Sequence, residues 1–272
     1  MNLEDHVGDI IRKARSMAGV PVGAAAAAAG LDVSNYRVLE REGAMPAGTK
    51  LREVARLVGL NADKLARLAS GWSPRPVQIA TWRSLCPITT ADDDMSVNCF
   101  LIWDEETRAA ALFDTGFDAA KVIEAVEREH LRLEHLFITH GHSDHVDGSP
   151  ALQKKFPSAR LHWNGGGLAS SRNRQGEEVP VGRLRVTHRL TPGHAADGVT
   201  YVITGWPNHA PAVAVVGDAI FSGSAGLSPA GWEVARRAVM GEILSLPGDT
   251  LICPGHGPLT TVGEELETNP FF

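Results

Sequence analysis

Seven residues concentrate the chemistry of this sequence. The stretch Thr139-His140-Gly141-His142-Ser143-Asp144-His145 sets three histidines and an aspartate in one short loop after the apolar run Leu136 to Ile138. Imidazole nitrogens and carboxylates are ligands for zinc, iron or manganese, and a loop at a strand end is a common seat for chemistry. Alternation from His140 to His142 to Asp144 can turn several side chains toward one point, with Gly141 letting the backbone bend between them. Pro192-Gly193-His194, Gly217-Asp218 and Pro254-Gly255-His256-Gly257 repeat the theme, each placing a ligand type beside glycine just after a strand-like run. Four strand ends converging on one point would supply five histidines and two aspartates. His6, His130, His135, His162 and His188 lack that context and are expected as solvated residues, with His209 on a surface loop. No Ser-His-Asp pattern or phosphate loop competes with the metal reading.

The elements that must carry these loops read as two modules. Residues 1–70 are expected to be all helix: Leu3, Val7, Ile10, Ile11, Ala14 and Met17 keep helical spacing. Pro21 opens a second helix and Gly30 closes it; Asp32 caps a third, Val33 to Glu42, which Gly43 ends. Two more are expected, from about Thr49 to Val58 and from Ala62 to Ala69. Residues 71–76, Gly-Trp-Ser-Pro-Arg-Pro, read as a short, stiff linker. Residues 77–272 then alternate short apolar or β-branched runs with helical stretches. The runs are Val97 to Trp103, Ala109 to Asp114, His135 to Thr139, Arg183 to Leu190, Val199 to Thr204, Ala212 to Val216 and Thr250 to Cys253. Helices are expected at Ala119 to Glu129 and Trp232 to Leu244. Two helix-covered sheets suit this alternation.

Composition narrows the field. Of the 272 residues, 43% are hydrophobic and 21% charged, which excludes a mainly disordered chain. Ala24 to Ala29 is the longest apolar run, far short of a membrane span, and the acidic start MNLEDHVGDI lacks a secretory signal. A cytoplasmic protein without membrane partners is the expectation. Cys86, Cys99 and Cys253 form no metal motif or disulfide framework.

With these motifs, the sequence resembles the metallo-β-lactamase fold superfamily over about residues 76 to 272. The resemblance implies an α/β chain built as an αββα sandwich, with its site at one edge between the sheets. It implies two divalent metal ions, zinc leading and iron or manganese as alternatives. His140, His142 and His194 would hold the first, Asp144, His145 and His256 the second, and Asp218 would bridge them. Asp114, in Asp114-Thr115-Gly116, matches a position that orients ligand imidazoles. Thr191-Pro192-Gly193-His194, Gly217-Asp218-Ala219-Ile220-Phe221, Pro254-Gly255-His256-Gly257-Pro258 and Asn269-Pro270-Phe271-Phe272 are most similar to the glyoxalase II-like hydrolases. That likeness implies a hydrolase using a metal-bound hydroxide on a small ester or thioester, with Asp144 also orienting the nucleophile and carrying a proton. The same group holds iron-dependent persulfide dioxygenases, which stand as the alternative. Gly226-Leu227-Ser228-Pro229 replaces the Gly-Arg-Thr-Asp of many members, and only about fifty residues follow Asp218. Both points speak against a glutathione thioester.

The helices around Gly30 to Gly43 resemble a Cro/phage-repressor-type helix-turn-helix domain, over about residues 5 to 70. That resemblance implies DNA contact by Ser34, Asn35 and Arg37 in the major groove. A transcriptional regulator with a metal-binding sensor domain is therefore a third reading. Residues 1–70 hold 10 Lys/Arg against 8 Asp/Glu, a thin basic balance for phosphate contacts, within a chain of net charge -6. The alternative use of the helices is to cover the active site or to form a homodimer.

Overall fold

The computed structural model describes residues 3–93, 95–165, 171–229 and 231–272. Five helices come first: α1 (Val7–Met17), α2 (Val22–Ala29), α3 (Val33–Glu42), α4 (Leu51–Leu57) and α5 (Ala62–Ala69). Asp32 accepts from the Asn35 amide at 2.8 Å and so caps α3. Gly30 and Gly43 end α2 and α3 at φ 70° and 67°, a left-handed turn that suits glycine. His6 also caps a helix, its Nδ1 accepting from the Asp9 amide at 3.0 Å at the start of α1. Ile10, Ile11, Ala25, Tyr36, Leu39, Val54 and Leu65 are fully buried, and Arg15 Nε meets Glu40 Oε1 at 2.6 Å across α1 and α3. Leu3, Val7 and Leu51 sit at the edge of this core rather than within it. The core does not close on itself. Ala225 and Phe271 belong to it, and Trp72, Trp232 and Phe272 pack against it.

The remainder is a sandwich of two sheets. One runs β1 (Leu85–Asp92), β2 (Met95–Trp103), β3 (Ala109–Phe113), β4 (Arg132–Phe137), β5 (Arg160–His162), in that order. The other contains β6 (Glu178–Val181), β7 (Leu184–Leu190), β8 (Val199–Thr204), β9 (Val213–Gly217), β12 (Leu251–Pro254) and β13 (Thr260–Thr261), in the order β13-β12-β9-β8-β7-β6. A small hairpin, β10 (Ile220–Phe221) with β11 (Ser224–Ala225), follows β9. Alternation along each strand sorts the side chains. Phe100, Ile102, Phe113 and Phe137 face Val186, Tyr201, Ile203 and Val215 between the sheets. Leu101, Leu112 and Leu136 turn outward under α6 (Ala120–Arg128) and α8 (Ser149–Lys155), through Val122, Val126 and Leu152. On the other side Val202, Ala214, Val216 and Ile252 lie under Val239 and Ile243 of a π-helical turn that continues α9 (Trp232–Ala238), and under Val262 of α10 (Val262–Thr268). A further short helix, α7 (Ser143–Val146), lies inside the histidine loop. The architecture is the αββα metallo-β-lactamase sandwich with helices ahead of it. No described helix is long and apolar enough to cross a membrane.

The histidines expected in solvent include a buried set. His162 and His188 are 3% and 0% exposed, and His135 Nδ1 lies 3.0 Å from His162 Nε2. They sit on the inner faces of β4, β5 and β7, stacked around Phe137 and Tyr201. Both nitrogens of His188 lack hydrogen-bond partners. Burial, helped by His135 and His188, pushes His162 down to about 3, and burial also lowers His135 and His188. An imidazole whose pKa is depressed by folding takes its proton more readily in the unfolded chain. Stability is therefore complete above pH ~6.5 and declines as pH falls toward ~3, by about 1.4 kcal/mol per pH unit for one such group. Urea midpoints from pH 7.5 to 4.5 are expected to fall less steeply in His162→Gln than in the wild type. Equal slopes would show that this histidine does not supply the acid sensitivity.

Candidate metal centre

The four loops expected to converge do so, at one edge of the sandwich. β7, β9 and β12 run in the same direction, so their following loops share an edge. β4 delivers the histidine loop from the facing sheet. His140 Nε2 and His194 Nε2 each lie 3.0 Å from His142 Nδ1. Asp144, His145 and His256 form a second group: His256 Nε2 is 3.1 Å and His145 Nε2 3.4 Å from Asp144 Oδ2. Asp218 stands between the groups, its Oδ2 3.5 Å from His194 Nε2 and 3.4 Å from His256 Nε2, its Oδ1 3.4 Å from His145 Nε2.

The outward nitrogen of four of the five imidazoles is held. His140 Nδ1 pairs with Thr139 Oγ1 at 3.1 Å. His194 Nδ1 reaches the Leu227 carbonyl at 3.0 Å, and His256 Nδ1 the Ser96 carbonyl at 2.6 Å. His145 Nδ1 faces Asp114 Oδ2 at 2.8 Å. Asp114 is 1% exposed and also accepts from the Thr139 amide and hydroxyl, at 2.7 and 2.8 Å. One carboxylate thus ties the end of β3 to the start of the histidine loop and fixes the ring of His145. Such support aims lone pairs inward. Gly255 is required by crowding: a Cβ there would lie 2.3 Å from Asp218 Oδ1 and 2.6 Å from His145 Cε1.

Two buried atoms test the fit of a cation. His145 Nε2 and Asp218 Oδ1 lack any hydrogen-bond partner and face each other across 3.4 Å. Orphaned buried polar atoms are costly, and a metal ion between them would satisfy both. The donor set, imidazole and carboxylate, suits zinc, iron or manganese. His140, His142, His194 and Asp218 could hold one ion, and Asp144, His145, His256 and Asp218 another.

Electrostatics separates the halves. Burial pushes His140 down to about 2, and the neighbouring imidazoles add to the effect. Burial opposes charge on His145 and His256 too, but Asp114 and Asp218 lift the first to about 10, and Asp144 and Asp218 lift the second to about 11. Burial would raise Asp218 and Asp144, yet the same imidazoles hold both below the usual carboxylate range. This half of the cluster favours positive charge, whether protons or a metal ion carries it. The mouth lies at Gly141, His142 and Ser143, which are exposed, beside the half-buried Trp163. The Trp163 Nε1 donates to Asp197 Oδ2 at 3.0 Å.

Residues without a readable signal complete the site. Ser96 and Leu227 act through backbone carbonyls, which no side-chain pattern announces. Thr139 was adjacent to the motif and could have been found by asking what holds His140. Ser34, Asn35 and Arg37 are exposed on α3, and Asn35 Nδ2 donates to Asp32 at 2.8 Å. His209 is exposed and takes no part.

The chain belongs to the metallo-β-lactamase superfamily, whose family model matches residues 92–267, and it is an enzyme of that superfamily. Among curated relatives, hydroxyacylglutathione hydrolase GloC of Haemophilus influenzae is 30% identical over 200 residues, covering 64% of this chain and 92% of that protein. The mitochondrial persulfide dioxygenase ETHE1 of Homo sapiens is also 30% identical, over 181 residues, covering 63% of this chain and 69% of that protein. Among solved structures, ETHE1 from Myxococcus xanthus superposes with a TM-score of 0.60 at 29% identity, over 68% of this chain and 83% of that one. The hydrolase and the dioxygenase thus share the same percent identity with it.

Removing the Asp114 carboxylate should loosen His145 without touching a donor atom. Asp114→Asn is expected to weaken metal retention by roughly 10–100-fold, read by competition with a chromophoric chelator. Unchanged affinity would show that His145 needs no such support.

Proposed function

We propose that this chain is a metal-dependent hydrolase of small-molecule esters or thioesters that holds two divalent ions. The observation that carries the reading is the completeness of the second group. Asp144, His145 and His256 converge nearly as closely as the first three histidines, and Asp218 stands between. When bound, two such ions would supply an activated water and polarise the oxygen under attack. The chain's own residues do the rest. Asp114, Thr139, Ser96 and the Leu227 carbonyl keep four imidazoles aimed inward. The indole of Trp163 forms an apolar wall beside the mouth, against which a substrate can lie. Asp144, buried next to His256 and held ionised, can accept a proton at its carboxylate and pass it to the leaving group.

Metal analysis with activity tests this against the dioxygenase reading. Two zinc, iron or manganese ions per chain and turnover of a panel of esters, lactones and thioesters would support the hydrolase. One iron per chain with oxygen uptake on a persulfide would replace it.

For the helices, we propose a module of residues 1–70, joined by 71–76 to the catalytic module of 77–272. The side of α3 bearing Ser34, Asn35 and Arg37 stays open, which supports a DNA-contacting role as a second reading. A gel shift on upstream DNA at rising salt tests it. Binding without sequence preference, or none, removes the regulator reading.

A further inference from the structure

The segment ahead of α1 runs beside the metal centre. A Cβ on Gly257, the residue after His256, would lie 3.1 Å from the Glu4 amide nitrogen and 3.2 Å from Glu4 Cβ. The neighbouring Asp5 anchors this arm. Its buried Oδ2 accepts from the Ser224 hydroxyl and from Lys13 Nζ, each at 2.5 Å. Lys13 also donates to the Ala225 carbonyl at 3.2 Å and lies 4.9 Å from the centre of the Phe221 ring. That ring stands 5.9 Å from His256. The arm is therefore pinned to the β10–β11 hairpin that follows Asp218, and Lys13 is committed to Asp5 and a carbonyl. Glu4 itself keeps contact with solvent. Partial burial raises its pKa; His256 and Lys13 lower it, and Asp5 and Asp218 raise it, so its carboxyl is within electrostatic reach of two candidate ligands and of Lys13.

We propose that Glu4 is a specificity-determining residue of this centre, a carboxylate carried to the rim beside His256 that disfavours anionic leaving groups and favours neutral or cationic ones. A second carboxylate stands at the mouth: Asp197 Oδ2 lies 3.2 Å from where a Cβ on Gly141 would be. A glutathione leaving group, with two carboxylates and one ammonium, meets repulsion there; a small neutral or amine-bearing thiol does not. The proposal rests on the hydrolase reading for the word leaving group, and on the arm's geometry for the rest.

Thiol binding to the cobalt-loaded protein tests it without turnover. Cobalt–thiolate absorption gives dissociation constants for 3-mercaptopropionate (anionic), 2-mercaptoethanol (neutral) and cysteamine (cationic), in wild type, Glu4→Gln and Glu4→Lys. Each thiol is compared with itself across proteins, so chelation by its second group cancels. The ratio of anionic to neutral dissociation constants is expected to fall about 3–10-fold in Glu4→Gln and further in Glu4→Lys, the size of one unit charge at rim distance. The difference should shrink in 0.5 M salt. Melting curves check that each variant is folded. Ratios that stay within twofold in both variants, or three thiols shifting together, overturn the proposal. A protein that hydrolyses no thioester would sink the hydrolase reading and leave this binding comparison intact.

Discussion

Asp144→Asn is expected to lower kcat on the best ester or thioester by about 10²–10⁴-fold, while the metal-loaded protein melts within a few degrees of the wild type. The amide keeps the volume of the carboxylate but cannot accept a proton, and it no longer offers a charged oxygen to His256, 3.1 Å away. Metal content must be measured alongside, because the same change weakens a donor. Full occupancy with near-normal turnover would remove Asp144 from the mechanism. Lost occupancy together with lost turnover would make it a ligand first and a proton carrier second.

The largest stability effect is expected at Phe271. Its ring is 5% exposed, packs on Trp232 at 5.3 Å, and fills the core of the five-helix bundle. Phe271→Ala should cost about 3–5 kcal/mol, seen as a lower urea midpoint, with the metal ligands undisturbed. Deleting residues 1–70 tests the same seam from the other side. It uncovers Trp72, Trp232, Ala225 and Phe271, so the shortened chain is expected to bind metal but self-associate. A soluble, unassociated truncation with wild-type stability would show that the seam contributes little.

Much of this was legible in the sequence, and the reasons differ by element. α3 and α5 carry side-chain caps and an apolar face, and their expected limits match the structure. β8, central and uninterrupted, does too. The missed strands are edges. β1 contains Pro87 and β6 Pro180, residues that cannot donate to a ladder and read as breaks. β5 is three residues long, and α7 four, too short for any period. α10 was findable: Thr261 accepts from the Glu264 amide at 3.2 Å, the Thr-x-x-Glu signature of a helix start. The buried histidines carried a signal as well, since Leu184, Val186 and His188 keep the two-residue period of an inward face. The glycine-flanked ligand set stood out because strand ends and ligand types coincided four times. The backbone carbonyls of Ser96 and Leu227 depend on tertiary approach, and nothing local encodes them.

The meeting of residues 3–5 and 269–272 on one hairpin has a consequence for biosynthesis. The Asp5 carboxylate bonds Ser224, and the Asn269 side-chain amide donates to the Ser224 carbonyl at 2.7 Å. Lys64 and Asn61 of the bundle reach the carbonyls of Phe272 and Pro270, at 2.6 and 2.8 Å. On the ribosome the five helices emerge early, yet the phenylalanine that fills their core comes some 200 residues later. At roughly 5–20 residues per second that is an interval of about 10–40 s. During it the nascent bundle shows an apolar opening, and His256 has not yet been made. Chaperone occupancy of the growing chain should therefore peak in this interval and drop only once residues 269–272 leave the tunnel, soon after His256 has emerged to complete the candidate metal centre.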